Sequence, residues 1–233
     1  MQTIGFVTIA ESPRDDVVPD IRRMLPPDIR VVERGNLDGL TAAETAALAP
    51  EPGEVGIVAR LKSGGETLLS HQKILPRMQR LVTELVEDEG ADLVVVLCGA
   101  DWTAIRSPVP VVNPERLFPG VISALAHGRK LGVVKPSAGQ VDAERERYRR
   151  LGIEAIVTSA SPYAGDERLG LAERAGAFLR DEGCDLIWMT CIGMDEPMRE
   201  IVAGVTGKPV VLAKSILGGV VAELATARQP ALV

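Results

Sequence analysis

Three observations predict an α/β protein of two pseudo-symmetric three-layer α/β/α domains with mainly parallel sheets, plus a hairpin in the first half. Strand-length apolar runs alternate with amphipathic stretches along the 233 residues. Val, Ile, Leu, Ala and Gly dominate while Phe, Tyr and Trp contribute 3%, a balance expected where helices cover strands on both faces. Finally, the chain nearly repeats itself: DEGADLVVVLC ends at Cys98 and DEGCDLIWMTC at Cys191, with six of eleven positions identical at an offset of 93. A second match, PVVNPERLFPGVISAL at 110–125 with PVVLAKSILGGVVAEL at 209–224, has an offset of 99. A six-residue insertion therefore lies between the cysteine strand and this closing unit. Internal duplication explains both matches, and the length allows two cores.

In chain order, Ile4–Ile9 reads as the first strand, followed by a loop carrying Glu11 to Asp16. A helix over Val17–Leu25 stops at Pro26-Pro27, and Ile29–Glu33 returns as a strand. A short helix follows Thr41, and VGIVARL and ETLLSH flank KSGG as two antiparallel strands around a tight turn. Ile74, Met78, Leu81, Leu85 and Val86 mark one face of a helix over Lys73–Glu89, which Gly90 ends before the strand Asp92–Cys98. A short strand at 110–113 precedes a helix over Leu117–Leu125. The second half repeats this grammar with strands at 131–134, 155–160, 185–191 and 209–211, and helices at 141–150, 169–181 and 215–225. The implied domains are 1–126, with 208–233 as a candidate completion, and 127–207, with a cleft between them.

The 26 Lys and Arg against 32 Asp and Glu give a net charge of −6, which offers no general attraction to nucleic acid or anionic membrane. The amino terminus enters a strand pattern without a basic leader, and no apolar run approaches the roughly 20 residues of a membrane span. A cytoplasmic location is expected. Three cysteines in that compartment argue against a disulfide framework, and the two histidines, His71 and His127, stand in unrelated contexts, so no metal is expected. Neither GxGxxG in its required setting nor GxxxxGK[ST] occurs, which leaves nicotinamide and ATP chemistry without a motif.

In parallel sheets ligands sit at the carboxyl edge, and both repeated phrases deliver a thiol there. Cys98 and Cys191 are thus the candidate catalytic residues, placed to face one cleft. A thiol and a thiolate on opposite sides of a planar carbanion could remove and return a proton with no cofactor. Gly99 and Gly193 would leave backbone amides open to a thiolate or a carboxylate. Arg14 offers a multidonor fork for a carboxylate, or for pairing with Asp15 or Asp16, and Ser12 beside it suits a helix cap. Asp101, Asn113, Lys135 and Lys214 complete the candidate substrate contacts, each with capping or surface ion pairing as the plainer role. Asp195 is as ambiguous as Asp101, and Cys184, opening its strand, reads as structural.

GFVTIAESPRDDVVP at 5–19, PEPGE at 50–54, RLKSGGETLLS at 60–70 and the two cysteine strands together resemble the AroM family, within the aspartate/glutamate racemase superfamily. The resemblance covers essentially the whole chain. It implies two pseudo-symmetric α/β domains and, in the racemases, proton abstraction and return by paired cysteines at the positions of Cys98 and Cys191. Related members isomerise maleate or decarboxylate arylmalonates through cysteine. The chain departs from the glutamate-racemase pattern: Gly99-Ala100 replaces the usual Asn-Thr after the first cysteine, and Ile192-Gly193 replaces Thr-His after the second. Thr8-Ile9 stands where Asp-Ser is usual. The expectation is therefore a cofactor-independent racemase or isomerase of a small carboxylated metabolite. A cysteine-dependent lyase or hydrolase and a non-catalytic metabolite sensor are the alternatives, and a homo-oligomer stays open.

Overall fold

The computed structural model describes residues 2–54 and 56–227. The first half runs β1 (Thr3–Thr8), α1 (Val18–Arg22), β2 (Arg30–Gly35), α2 (Ala42–Ala47), the hairpin β3 (Ile57–Arg60) and β4 (Glu66–Leu69), α3 (His71–Glu87), β5 (Leu93–Leu97), β6 (Val111–Val112) and α4 (Pro114–Leu125). The second runs β7 (Leu131–Lys135), α5 (Val141–Arg150), β8 (Ala155–Ser159), α6 (Arg168–Asp181), β9 (Leu186–Met189), α7 (Glu196–Thr206), β10 (Val210–Leu212) and α8 (Ala213–Thr226).

Two four-stranded sheets have the orders β2-β1-β5-β6 and β10-β9-β7-β8. Read from their matching edges they are the same sheet, with β1 and β7, β2 and β8, β5 and β9, and β6 and β10 equivalent. All pairings within them are parallel, while β3 and β4 form a separate antiparallel ribbon. Among the central strands, β5 and β9 are buried throughout, which is why they read as unbroken apolar runs. Gly5 and Gly132 occupy equivalent places in β1 and β7. A Cβ on Gly5 would stand 3.0 Å from the Leu85 side chain, and one on Gly132 would stand 2.6 Å from Ile187 Cδ1. A missing side chain thus lets a helix or a neighbouring strand's side chain close on each sheet.

The halves do not bury separate cores alone. One cluster packs α3 and the hairpin against the first sheet, and another packs α6 and α7 against the second. A third joins both sheets, with Phe6 and Val95 from the first and Val133 and Trp188 from the second. β10 pairs with β9 in the second sheet, yet α8, which follows it directly, packs against α1 of the first half.

Local signals explain most element boundaries. Thr41 and Glu44 form a reciprocal capping box on α2, and Ser70 caps α3. Gly90 and Gly183, at φ of 65° and 71°, turn the chain out of α3 and α6 into the two cysteine strands. One helix escapes the sequence reading: α7 fills the extra length between Cys191 and the closing unit. Pro197 breaks the apparent periodicity there, but it lies in the first turn, where a missing N–H costs nothing. Asp195 caps that turn, and Gly207 ends the helix at φ 63°. α1 is shorter than expected, because its last turn tightens, with Met24 and Leu25 donating to the Ile21 and Arg22 carbonyls three residues back.

Candidate functional site

Cys98 follows β5 directly, and Cys191 lies two residues beyond β9, the equivalent strand. Both line one cavity of about 340 Å³, which also takes in Arg14, Gly99, Asp101 and Lys135. The loops after β1, β5, β7, β8 and β9 converge there because parallel strands all present their carboxyl ends on one side. The hairpin adds a wall through Gly56, Ile57 and Val58. It is fastened to the second half by Ser161 Oγ donating to Glu66 at 2.9 Å and Gln140 donating to the Gly56 carbonyl at 3.4 Å.

Arg14 is 4% exposed, and its fork is already engaged. Nε and Nη2 donate to the two carboxylate oxygens of Asp16 at 2.8 Å each, Nη1 donates to Thr8 Oγ1 at 2.9 Å, and Nη2 also reaches Tyr163 Oη at 3.3 Å. Asp16, pulled below its ordinary carboxylate range by Arg14 and Arg60 against the cost of burial, is shared with Arg60 at 3.1 Å. Tyr163 Oη in turn lies 3.9 Å from Cys191 Sγ. A continuous polar chain therefore runs from the hairpin through Asp16, Arg14 and Tyr163 to one thiol.

Burial pushes both thiols up. Cys98 rises to about 11, because desolvation and the neighbouring Cys191 outweigh the Ala100 N–H and Arg14. Cys191 is also raised by burial, but the Gly193 N–H, Arg14, Tyr163 and Lys135 all favour its thiolate. The two sites share one local device: in each, the backbone N–H two residues past the cysteine favours the charged sulfur. Tyr163 is held far above the ordinary phenol range by burial and the adjacent thiol, so it stays a donor.

The remaining sequence candidates have other engagements. Asp38 accepts from the Ser12 backbone at 2.7 Å and from its hydroxyl, which holds Ser12 itself outside the cavity lining. Asn113 caps α4 by accepting from Glu115 N at 3.1 Å. Gly193 and Lys214 line an adjoining cavity of about 680 Å³, and Tyr163 contributes to both. A Cβ on Gly193 would collide with the Tyr163 ring, so this glycine admits the phenol to Cys191. Lys214 is buried against Asp20 and donates to the Asp16 carbonyl at 3.1 Å. Asp101 receives the Thr103 N–H at 2.9 Å, and Lys135 pairs with Glu144 at 3.4 Å. Asp195 caps α7 and binds Arg168, while Cys184 is buried in the second-half core.

Sequence reasoning missed Tyr163 and Thr8. Tyr163 carried a usable signal, being one of two tyrosines and lying in a carboxyl-edge loop beside Ser161. Among the described residues no three His, Cys, Asp or Glu side chains gather as a metal site, and no helix is long and apolar enough to cross a membrane.

Solved structures of low sequence identity share the architecture. A double mutant of arylmalonate decarboxylase in the liganded form, with one glycine changed to cysteine and one cysteine to serine, is 17% identical. It has a TM-score of 0.59 over 98% of this chain and 94% of that one. Picrophilus torridus aspartate racemase is 12% identical, with a TM-score of 0.59 over 99% and 96% of the two chains. Thermus thermophilus glutamate racemase in complex with beta-chloro-D-alanine is 17% identical, with a TM-score of 0.59 over 97% and 81%. No curated protein sequence matches. The family described as AroM protein matches residues 4–225, nearly the full length, and the chain therefore belongs to the AroM family.

Proposed function

We propose that this protein is a cofactor-independent racemase or isomerase of a small carboxylated molecule, with Cys98 and Cys191 as the two proton-transfer groups. The observation that carries the reading is that equivalent strand ends of a duplicated fold bring both thiols to one cavity. Cys191 is the thiol better equipped to hold negative charge, with Arg14, Lys135, Tyr163 and the Gly193 N–H around it. In one direction its thiolate takes the proton next to the substrate carboxylate, and the neutral Cys98 delivers a proton to the opposite face. The reverse turnover exchanges the roles. Lys135 and the unoccupied N–H of Arg14 Nη1 hold the carboxylate, while loop amides spread the developing charge. The fold similarity to aspartate and glutamate racemases supports this class.

The unequal surroundings of the thiols favour a second reading, a cysteine-dependent lyase in which Cys191 alone protonates a carbanion left by decarboxylation. Incubation of small amino acids, hydroxy acids and malonate derivatives in deuterated water separates the readings. Deuterium entering a stereocentre, with loss in both Cys98→Ala and Cys191→Ala, is the racemase result. Carbon dioxide release that survives Cys98→Ala supports the lyase. Saturable binding that persists in the double variant, without exchange, identifies a sensor.

A further inference from the structure

The cavity does not end at the thiols. It continues as a trench between α4 of the first half and α5 of the second, with Phe118, Tyr148 and Trp188 as its floor. These three side chains are buried, and Phe118 meets Trp188 edge to face with ring centroids 5.2 Å apart. Pro119, Ala143 and Leu151 form the rims. From Ala143 to Leu151 the trench follows eight helical steps, about 12 Å at the rise of an α-helix. A molecule of aspartate size occupies the thiol end alone and leaves this apolar length wet.

The charges along the trench discriminate further. Its cation, Arg147, is held by Glu115 at 2.7 Å and stands 3.7 Å from Glu144. Burial and the neighbouring Glu144 and Asp101 push the Glu115 carboxyl up, while Arg147 opposes them. A second substrate carboxylate placed here would meet two carboxylates and an occupied guanidinium. An uncharged arm meets aromatic faces instead.

We infer that the acid this site takes is a monocarboxylate with an apolar arm, alkyl or aryl, lying in the α4/α5 trench, rather than a short dicarboxylate. The inference rests on the reading that a carboxylate binds beside the thiols, and it adds what extends from that carboxylate. Because α4 and α5 belong to different halves, the arm is read by both, and the pair Arg147–Glu115 ties the two walls together.

The test follows iodoacetamide labelling of Cys191 by peptide mass spectrometry, in the unmodified protein and in one variant. The acid concentration that halves the labelling rate is measured for propanoate, hexanoate, octanoate, 3-phenylpropanoate and pentanedioate. Protection is expected to strengthen roughly three- to fourfold per methylene until the trench is filled. Pentanedioate should protect at least tenfold more weakly than hexanoate. Leu151 is 51% exposed, so Leu151→Asp is compatible with folding, and it should weaken octanoate about tenfold while leaving propanoate within twofold. Equal protection by short and long acids, or tighter binding of the diacid, overturns the inference. Protection by no acid overturns it together with the carboxylate reading. A rising series without deuterium exchange leaves the trench assignment intact and rejects only the racemase.

Discussion

Replacing Tyr163 with Phe removes one oxygen from the centre of the polar chain and leaves the ring that packs against Gly193. That oxygen lies 3.9 Å from Cys191 Sγ and 3.3 Å from Arg14 Nη2. Arg14 keeps its two bonds to Asp16 and its bond to Thr8, so the substitution strands no buried charge. Tyr163 stays protonated at neutral pH and can donate to the thiolate sulfur, so its loss destabilises the thiolate relative to the thiol. A hydrogen bond to a charged group contributes about 1.5–3 kcal/mol, and a contact at this length belongs at or below the lower end. Taking about 1 kcal/mol, the Cys191 pKa rises by roughly 0.7 units and the thiolate fraction at neutral pH falls about fivefold. The assay is the pH dependence of Cys191 alkylation, resolved by peptide mass spectrometry. Its midpoint should move up by about that amount, while the thermal midpoint changes little. An unchanged or lowered alkylation midpoint would refute the argument that the phenol supports the thiolate.

Four further outcomes follow from the structure. Asp16→Asn leaves the Arg14 charge uncompensated: Cys191 should alkylate faster at neutral pH, whereas denaturant titration should show a loss of roughly 3 kcal/mol from the broken buried pair. Those opposite signs distinguish an electrostatic effect from general damage. Gly132→Ala forces a methyl against Ile187 and should cost about 1–3 kcal/mol in denaturant titration. Gly5→Ala, facing Leu85 at a longer distance, should cost less. Asp195→Ala removes the α7 cap and the Arg168 partner, and should lower stability by about 1 kcal/mol, read as a fall of about 2–4 °C in the thermal midpoint.

The chain's own pattern determined the alternation of strands and helices, the hairpin around Lys62–Gly65, and the duplicated delivery of Cys98 and Cys191 to strand ends. These are local properties: side-chain period, caps such as Ser70 and turn glycines such as Gly90 act within a few residues. The same local reading lost α7, because Pro197 signals either a break or a first turn, and only the packing of α7 against α6 decides between them. Tertiary structure alone assigned the polar side chains. Arg14 meets Tyr163 across 149 residues and Lys214 meets Asp16 across 198, so no window of sequence contains both partners. Ser12, Asn113 and Lys214 went to Asp38, the α4 cap and Asp20, since a buried donor or acceptor takes whichever partner the fold brings nearest. The trench between α4 and α5 was equally invisible, because its floor joins residues of both halves that meet only once the two sheets share a core.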